Sequence, residues 1–240
     1  MVLKYVSLSL LICMLLGCGE KKLEKERFSY SMPVIHLDSS IEFFKSDFAI
    51  ISYGDITMYE LPYWESFSKN DSLISETSAY EYFVFRNNDK DGYLVKRLED
   101  TIKQKANKDS LLSLRAYYHN NFDSTLSLKN SHTIEAGTNG RFTIKYLKPN
   151  PFVDSIAAYF DVSKKNLKYR LAPKLDSIFE SKLYKVVFWQ SAKALLNKDK
   201  IDTPLLVSFE VKPEEITNPQ PLYKFLDHFI EITQTSKKDL

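Results

Sequence analysis

The stretch Tyr80-Glu81-Tyr82-Phe83-Val84-Phe85-Arg86 decides the fold. In an extended chain successive side chains point to opposite faces. Glu81, Phe83 and Phe85 then share one face, and Tyr80, Tyr82 and Val84 the other. Both faces are apolar or aromatic, so the run reads as a central strand covered on both sides. Asn87 to Gly92 supplies the Asn, Asp and Gly of a turn, and Tyr93 to Leu98 returns as the second arm of a hairpin.

Outward from this hairpin, further strands are expected over Phe28 to Leu37, Phe48 to Tyr59, Ser131 to Leu147 and Leu183 to Trp189. Leu205, Val207, Phe209 and Val211 alternate with Leu206, Ser208, Glu210 and Lys212, the pattern of a half-exposed strand. Between them the apolar period shifts toward 3.6. Leu111, Leu114 and Tyr118 fall three and four apart. Asn150-Pro151 pairs a cap residue with proline at a first helical position, ahead of Phe152, Val153, Ile156 and Phe160. Pro173 opens another helix with Leu175, Ile178 and Phe179 inward. After Pro221, the residues Leu222, Phe225, Leu226, Phe229 and Ile230 trace the strongest amphipathic helix of the chain. These elements predict an α+β fold: a largely antiparallel sheet packed with several helices, near 98–118, 151–160, 173–182 and 221–233. The globular domain is expected over 28–240, with Asn120 to Ser131 as the place for a subdomain boundary.

The N-terminus points to an address. Lys4 is the lone basic residue ahead of an apolar run, Tyr5 to Leu16, too short to cross about 30 Å of hydrocarbon as a helix. The run closes on Leu15-Leu16-Gly17-Cys18, and a charged stretch follows. This tetrapeptide resembles the lipobox of bacterial lipoproteins. The resemblance implies that residues 1–17 are a signal peptide cut between Gly17 and Cys18. It further implies that Cys18 carries acyl chains of the palmitate type, and that 18–27 forms a charged tether. Each buried methylene contributes about 0.8 kcal/mol, so two or three such chains hold a protein on a membrane almost irreversibly. The address expected is the cell envelope, at the outer membrane. Cys13 would leave with the signal peptide, so Cys18 would be the sole cysteine and no disulfide or thiol nucleophile would remain.

Composition limits the chemistry. A formal charge of +2 over 240 residues gives no electrostatic case for nucleic acid. Six glycines leave little with which to cradle a phosphate, and neither G-x-x-x-x-G-K-[ST] nor G-x-G-x-x-G occurs. There is no G-x-S-x-G elbow and no H-E-x-x-H, and His36, His119, His132 and His228 are scattered. Asn87, Asp89, Asp91 and Gly92 sit where a calcium loop places its first ligands and its glycine, but the twelfth position is Leu98 rather than a bidentate acid. Asp89 and Asp91 therefore stand as candidate metal ligands, with a hairpin turn the preferred reading. No cofactor is called for.

The remaining signal is aromatic. Tyr59, Tyr63 and Trp64 surround Pro62 in what reads as a loop, where they could form a flat platform for a protein or glycan partner, or simply cover the core. Three functional classes follow. The first is a non-catalytic envelope lipoprotein that binds or assembles, the second an anchored inhibitor or immunity-type protein, and the third a hydrolase whose site is not visible in sequence. The first carries the most weight.

Overall fold

The computed structural model describes residues 22–36, 38, 40–69, 72–102, 104–116, 121–150, 153–190 and 205–235. Gly17, Cys18, the tether up to Lys21, His119, the Pro151-Phe152 pair and the side chain of Trp64 lie outside the described set.

The strands are β1 (Leu23–Ile35), β2 (Ile41–Tyr53), β3 (Ile56–Lys69), β4 (Ser72–Arg86), β5 (Asp91–Val95), β6 (Gln104–Asn107), β7 (His132–Ala136), β8 (Arg141–Asn150), β9 (Val153–Asp161), β10 (Lys182–Gln190) and β11 (Leu205–Glu214). They form one 11-stranded sheet in the order β6-β5-β4-β3-β2-β1-β11-β10-β9-β8-β7. Every ladder is antiparallel. Two meanders, β1 to β6 and β7 to β11, are thus joined through their first and last strands, with Phe28 opposite Val211.

Each face carries its own core. Phe28, Phe48, Ile50, Tyr59, Phe83, Phe85, Ile144, Ile156, Phe160 and Val211 build the larger one on the first face. It is covered by helix α1 (Lys108–Arg115), by residues 121–131, and by a strap over 165–181 that contains helix α2 (Pro173–Ile178). On the second face Ile51, Ile56, Met58 and Val84 meet Leu222, Phe225, Leu226 and Phe229 of helix α3 (Gln220–Thr235). β4 accordingly buries Phe83 and Phe85 on one side and Val84 on the other, which is why its sequence is apolar throughout.

The fold is sheet-dominated, which corrects the α+β expectation of several helices on one face. Among the described residues the stretch expected as a helix over 151–160 is β9, hydrogen-bonded between β8 and β10. Ala157 and Ala158 are both buried there, so the sequence satisfies a helical stripe and a doubly covered strand alike. The helix expected over 98–118 shrinks to α1, because Gln104 to Asn107 pair with β5 and Asn107 then caps the helix by accepting the Ser110 N–H at 3.0 Å. Leu112, rather than Leu114, faces inward, and Leu114 is 87% exposed. Leu23 to Arg27, expected in the charged tether, belong to β1, where Lys25 pairs with Glu214 of β11 and Arg27 with Asp47 of β2 and Glu214 of β11.

Candidate binding clefts and the ion network

The expected aromatic platform does not form as a loop. Tyr59 and Tyr63 lie on β3. Tyr59 is 4% exposed and stacks on Phe85 with ring centroids 6.1 Å apart and planes at 22°. Tyr63 has the Lys96 ammonium 6.0 Å from its ring centre. Tyr59 is core on its strand and also lines the cleft between the strap and the sheet. Asn87 to Lys90 form the β4–β5 turn, with Asp91 and Gly92 already on β5, and Asp89 N–H donates to the Arg86 C=O at 2.9 Å. Asp91 pairs with Lys105 at 3.0 Å, and that hydrogen bond holds its carboxyl below the usual range. Among the described residues no three His, Cys, Asp or Glu side chains gather as a metal site. His36 lies near Glu42, His132 against the Asn130 carbonyl, and His228 near Glu231, each in a different part of the molecule.

The first-face strap is held from beneath by buried charge. Glu26 on β1 accepts the backbone N–H of Lys168 at 2.6 Å and of Tyr169 at 3.0 Å. Lys182 donates to the Leu167 carbonyl at 2.6 Å and lies 3.5 Å from Asp176, whose other oxygen accepts the Leu183 N–H at 2.8 Å. Burial pushes the Asp176 carboxyl up and the Lys182 ammonium down. Phe122 N–H donates to the Leu171 carbonyl, and Lys174 N–H to Asp123, which ties the strap to residues 121–126.

Between this strap and the sheet lies a cleft of about 630 Å³. Its floor comes from β2, β3 and β4: Ile50, Tyr59 and Phe85, with the hydroxyls of Ser52 and Thr57. Asn87, from the β4–β5 turn, is oriented by the Thr57 hydroxyl, which donates to its side-chain oxygen at 2.6 Å. Asp109 of α1, Asn121, Lys168, Tyr169 and Arg170 complete the walls. Lys168 is paired with Glu24 at 3.2 Å. A second cleft, about 700 Å³, opens at the start of β1 between Leu23, Leu167, Ile216 and Tyr223, with a mixed-charge rim that includes Lys22, Arg141, Glu215 and Lys164.

The second face carries an ion network beside α3. Arg27 donates to both oxygens of Glu214, at 2.5 and 2.9 Å, and to Asp47 at 2.7 Å. Lys25 bridges Glu60 at 2.9 Å and Glu214 at 3.2 Å, and the Tyr80 hydroxyl donates to Asp47 at 2.9 Å. Hydrogen bonding to Glu214 and Asp47 outweighs burial and raises the Arg27 guanidinium further. The network sets two cations, Lys25 and Arg27, among three carboxylates, Asp47, Glu60 and Glu214, and so ties β1 to β2, β3 and β11.

Sequence reasoning did not find Lys168, Arg170 or Asn121, because loops far apart in the chain bring them to the cleft. Glu26 and Arg27 did carry a signal. Lys25 and Arg27 alternate with Glu26 and Phe28 at the period of a strand. No protein-family model matches this chain, and no curated protein matches it either.

Proposed function

We propose that the chain is a membrane-anchored, non-catalytic binding module of the cell envelope, held at the outer membrane by acyl chains on Cys18 and taking a small ligand in the strap cleft. The observation that carries this reading is the lining of that cleft. Among the described residues that line it, hydroxyl, amide, aromatic and cationic groups accompany one carboxylate, that of Asp109. A pocket with a few convergent polar groups over an apolar floor is the usual form of a ligand site. The anchor rests on the lipobox resemblance. Four residues separate Cys18 from Leu23, so the start of β1 would stand within about 18 Å of the acylated residue.

Mass spectrometry of the mature N-terminus tests the anchor. Acyl chains on Cys18, and a Cys18→Ser chain released from membranes or left unprocessed, are the expected results. An unmodified N-terminus well downstream of Cys18 would overturn the address.

One observation favours the second reading, an anchored inhibitor or immunity-type protein. Beyond the Ser31–Ser208 pair, the tip of the β1–β2 hairpin is a two-stranded ribbon. Val34, Phe43 and Phe44 on it are 40–42% exposed. With about 3.3 Å per residue, this tip lies roughly 40 Å from the start of β1, away from the anchored end. Co-purification of one tight protein partner, lost in Phe43→Ser/Phe44→Ser, would select that reading over the first.

A further inference from the structure

We infer that the strap cleft is a saccharide site, built for an uncharged, polyhydroxylated ligand of two or three sugar rings. The inference rests on the binding-module reading and names the ligand class for the same site. An anionic ligand such as a phosphate calls for cations without competing carboxylates, or for a glycine-rich backbone cradle. Here the lining includes the carboxylate of Asp109 as well as Arg170, Lys168 is paired with Glu24, and among the described residues no glycine lines the cleft. An apolar ligand would strip water from Ser52, Asn87 and Asn121 without replacing their hydrogen bonds.

A sugar hydroxyl both donates and accepts. It matches side-chain amides and hydroxyls, which do the same, and carboxylate and guanidinium groups, which complete such pairs. The Thr57 hydroxyl occupies the Asn87 oxygen at 2.6 Å, which fixes that amide with its NH₂ available for donation. Beneath these groups, Tyr59 and Phe85 supply the apolar floor, with Tyr169 in the wall, against which the C–H face of a sugar ring packs. The volume, about 630 Å³, accommodates two to three such rings.

The test uses the full chain purified in detergent, titrated calorimetrically with maltotriose, cellotriose and chitotriose, and with inorganic phosphate as the ionic probe. Saturable one-to-one binding of at least one trisaccharide is expected. Arg170→Ala and Asn121→Ala, both at exposed positions, should each weaken it about tenfold, with an unchanged melting temperature for Arg170→Ala, whereas Asn121→Ala also removes the acceptor of the Asp123 N–H. Asn87→Ala supplies a third variant. Binding that ignores all three substitutions overturns the assignment, as does failure of every trisaccharide to bind at millimolar concentration. Phosphate binding that Arg170→Ala abolishes, without saccharide binding, overturns the saccharide assignment while leaving the cleft a ligand site.

Discussion

Glu26 and Tyr169, 143 positions apart, are joined where a carboxylate oxygen on β1 accepts the Tyr169 backbone N–H at 3.0 Å. The other oxygen takes the Lys168 N–H at 2.6 Å, and Glu26 is buried. One side chain therefore satisfies two consecutive amides of the strap, at the point where the strap becomes a cleft wall. A buried donor left unpaired costs about 1–3 kcal/mol. Glu26→Gln keeps the shape but turns one acceptor into a donor, and should cost about that much in urea unfolding. Glu26→Ala orphans both amides and should cost more. An unchanged denaturation midpoint in Glu26→Ala would show that the strap does not depend on this contact.

The Lys182–Asp176 pair makes a different prediction. Burial disfavours the charge on both members, as their opposite shifts record. Removing one partner leaves the other charge buried and alone, at about 3–5 kcal/mol, whereas replacing both with apolar residues of similar size is often neutral. Lys182→Met and Asp176→Leu should each strongly destabilise the protein, and the double variant should recover much of the loss. A double variant as unstable as the sum of the singles would contradict this, and would place the weight on the Leu167 carbonyl and the Leu183 amide instead.

The ion network sets the acid limb of stability. Burial pushes Glu214 up, but hydrogen bonds and charge from Arg27 and Lys25 outweigh it and hold the carboxyl below its ordinary range. A carboxylate lowered in the folded state contributes stability above its unfolded value, near 4.5 for glutamate. That contribution is lost as pH falls through the lower folded value. Asp161, where bonds from Ser163 and Arg141 likewise prevail over burial, acts in the same direction. Stability should therefore drop below about pH 4.5. Arg27→Met should lower stability by about 1–3 kcal/mol at neutral pH and flatten the acid limb, since Glu214 then has less to lose. Thermal melts of both proteins from pH 3 to pH 7 measure it, and parallel curves would rule out Arg27 as the origin.

How much of this could be read beforehand depends on how local the determinants are. The β4–β5 hairpin was legible because its two-faced apolar run and its turn residues lie within about twenty positions. The C-terminal helix was legible because Leu222, Phe225, Leu226 and Phe229 cover one core and nothing else. β9 was not, since burial of both faces places apolar residues at 153, 156, 157, 158 and 160, which a helix would also do. The first residues of β1 read as solvated tether because the stretch is highly charged and lacks aromatics, yet Lys25 and Arg27 are paired within the sheet. Their partner Glu214 lies 187 positions beyond Arg27, where no local pattern can announce it. The strap cleft shares that origin. Its walls come from residues 50–59, 85–87, 109, 121 and 168–173, and it exists only once the two meanders have joined.

Gly92 shows how one residue can be conspicuous for the wrong reason. In the sequence it falls where a calcium loop carries its glycine, yet in the structure it is a buried position of β5. A Cβ placed there would lie 2.6 Å from Phe83 Cζ and 2.7 Å from the Val84 carbonyl oxygen. A small rotation displaces the ring, but the carbonyl belongs to the β4–β5 ladder and cannot retreat without breaking it. Gly92 is thus required by close approach of two strands, and no ion enters the account. Overpacking of this kind costs about 1–3 kcal/mol. Gly92→Ala should lower stability by that amount in urea or thermal unfolding, equally with calcium and with chelator. The opposite pattern, a loss of stability on chelation in the wild-type chain that Gly92→Ala abolishes, would return the turn to the role of a cation loop.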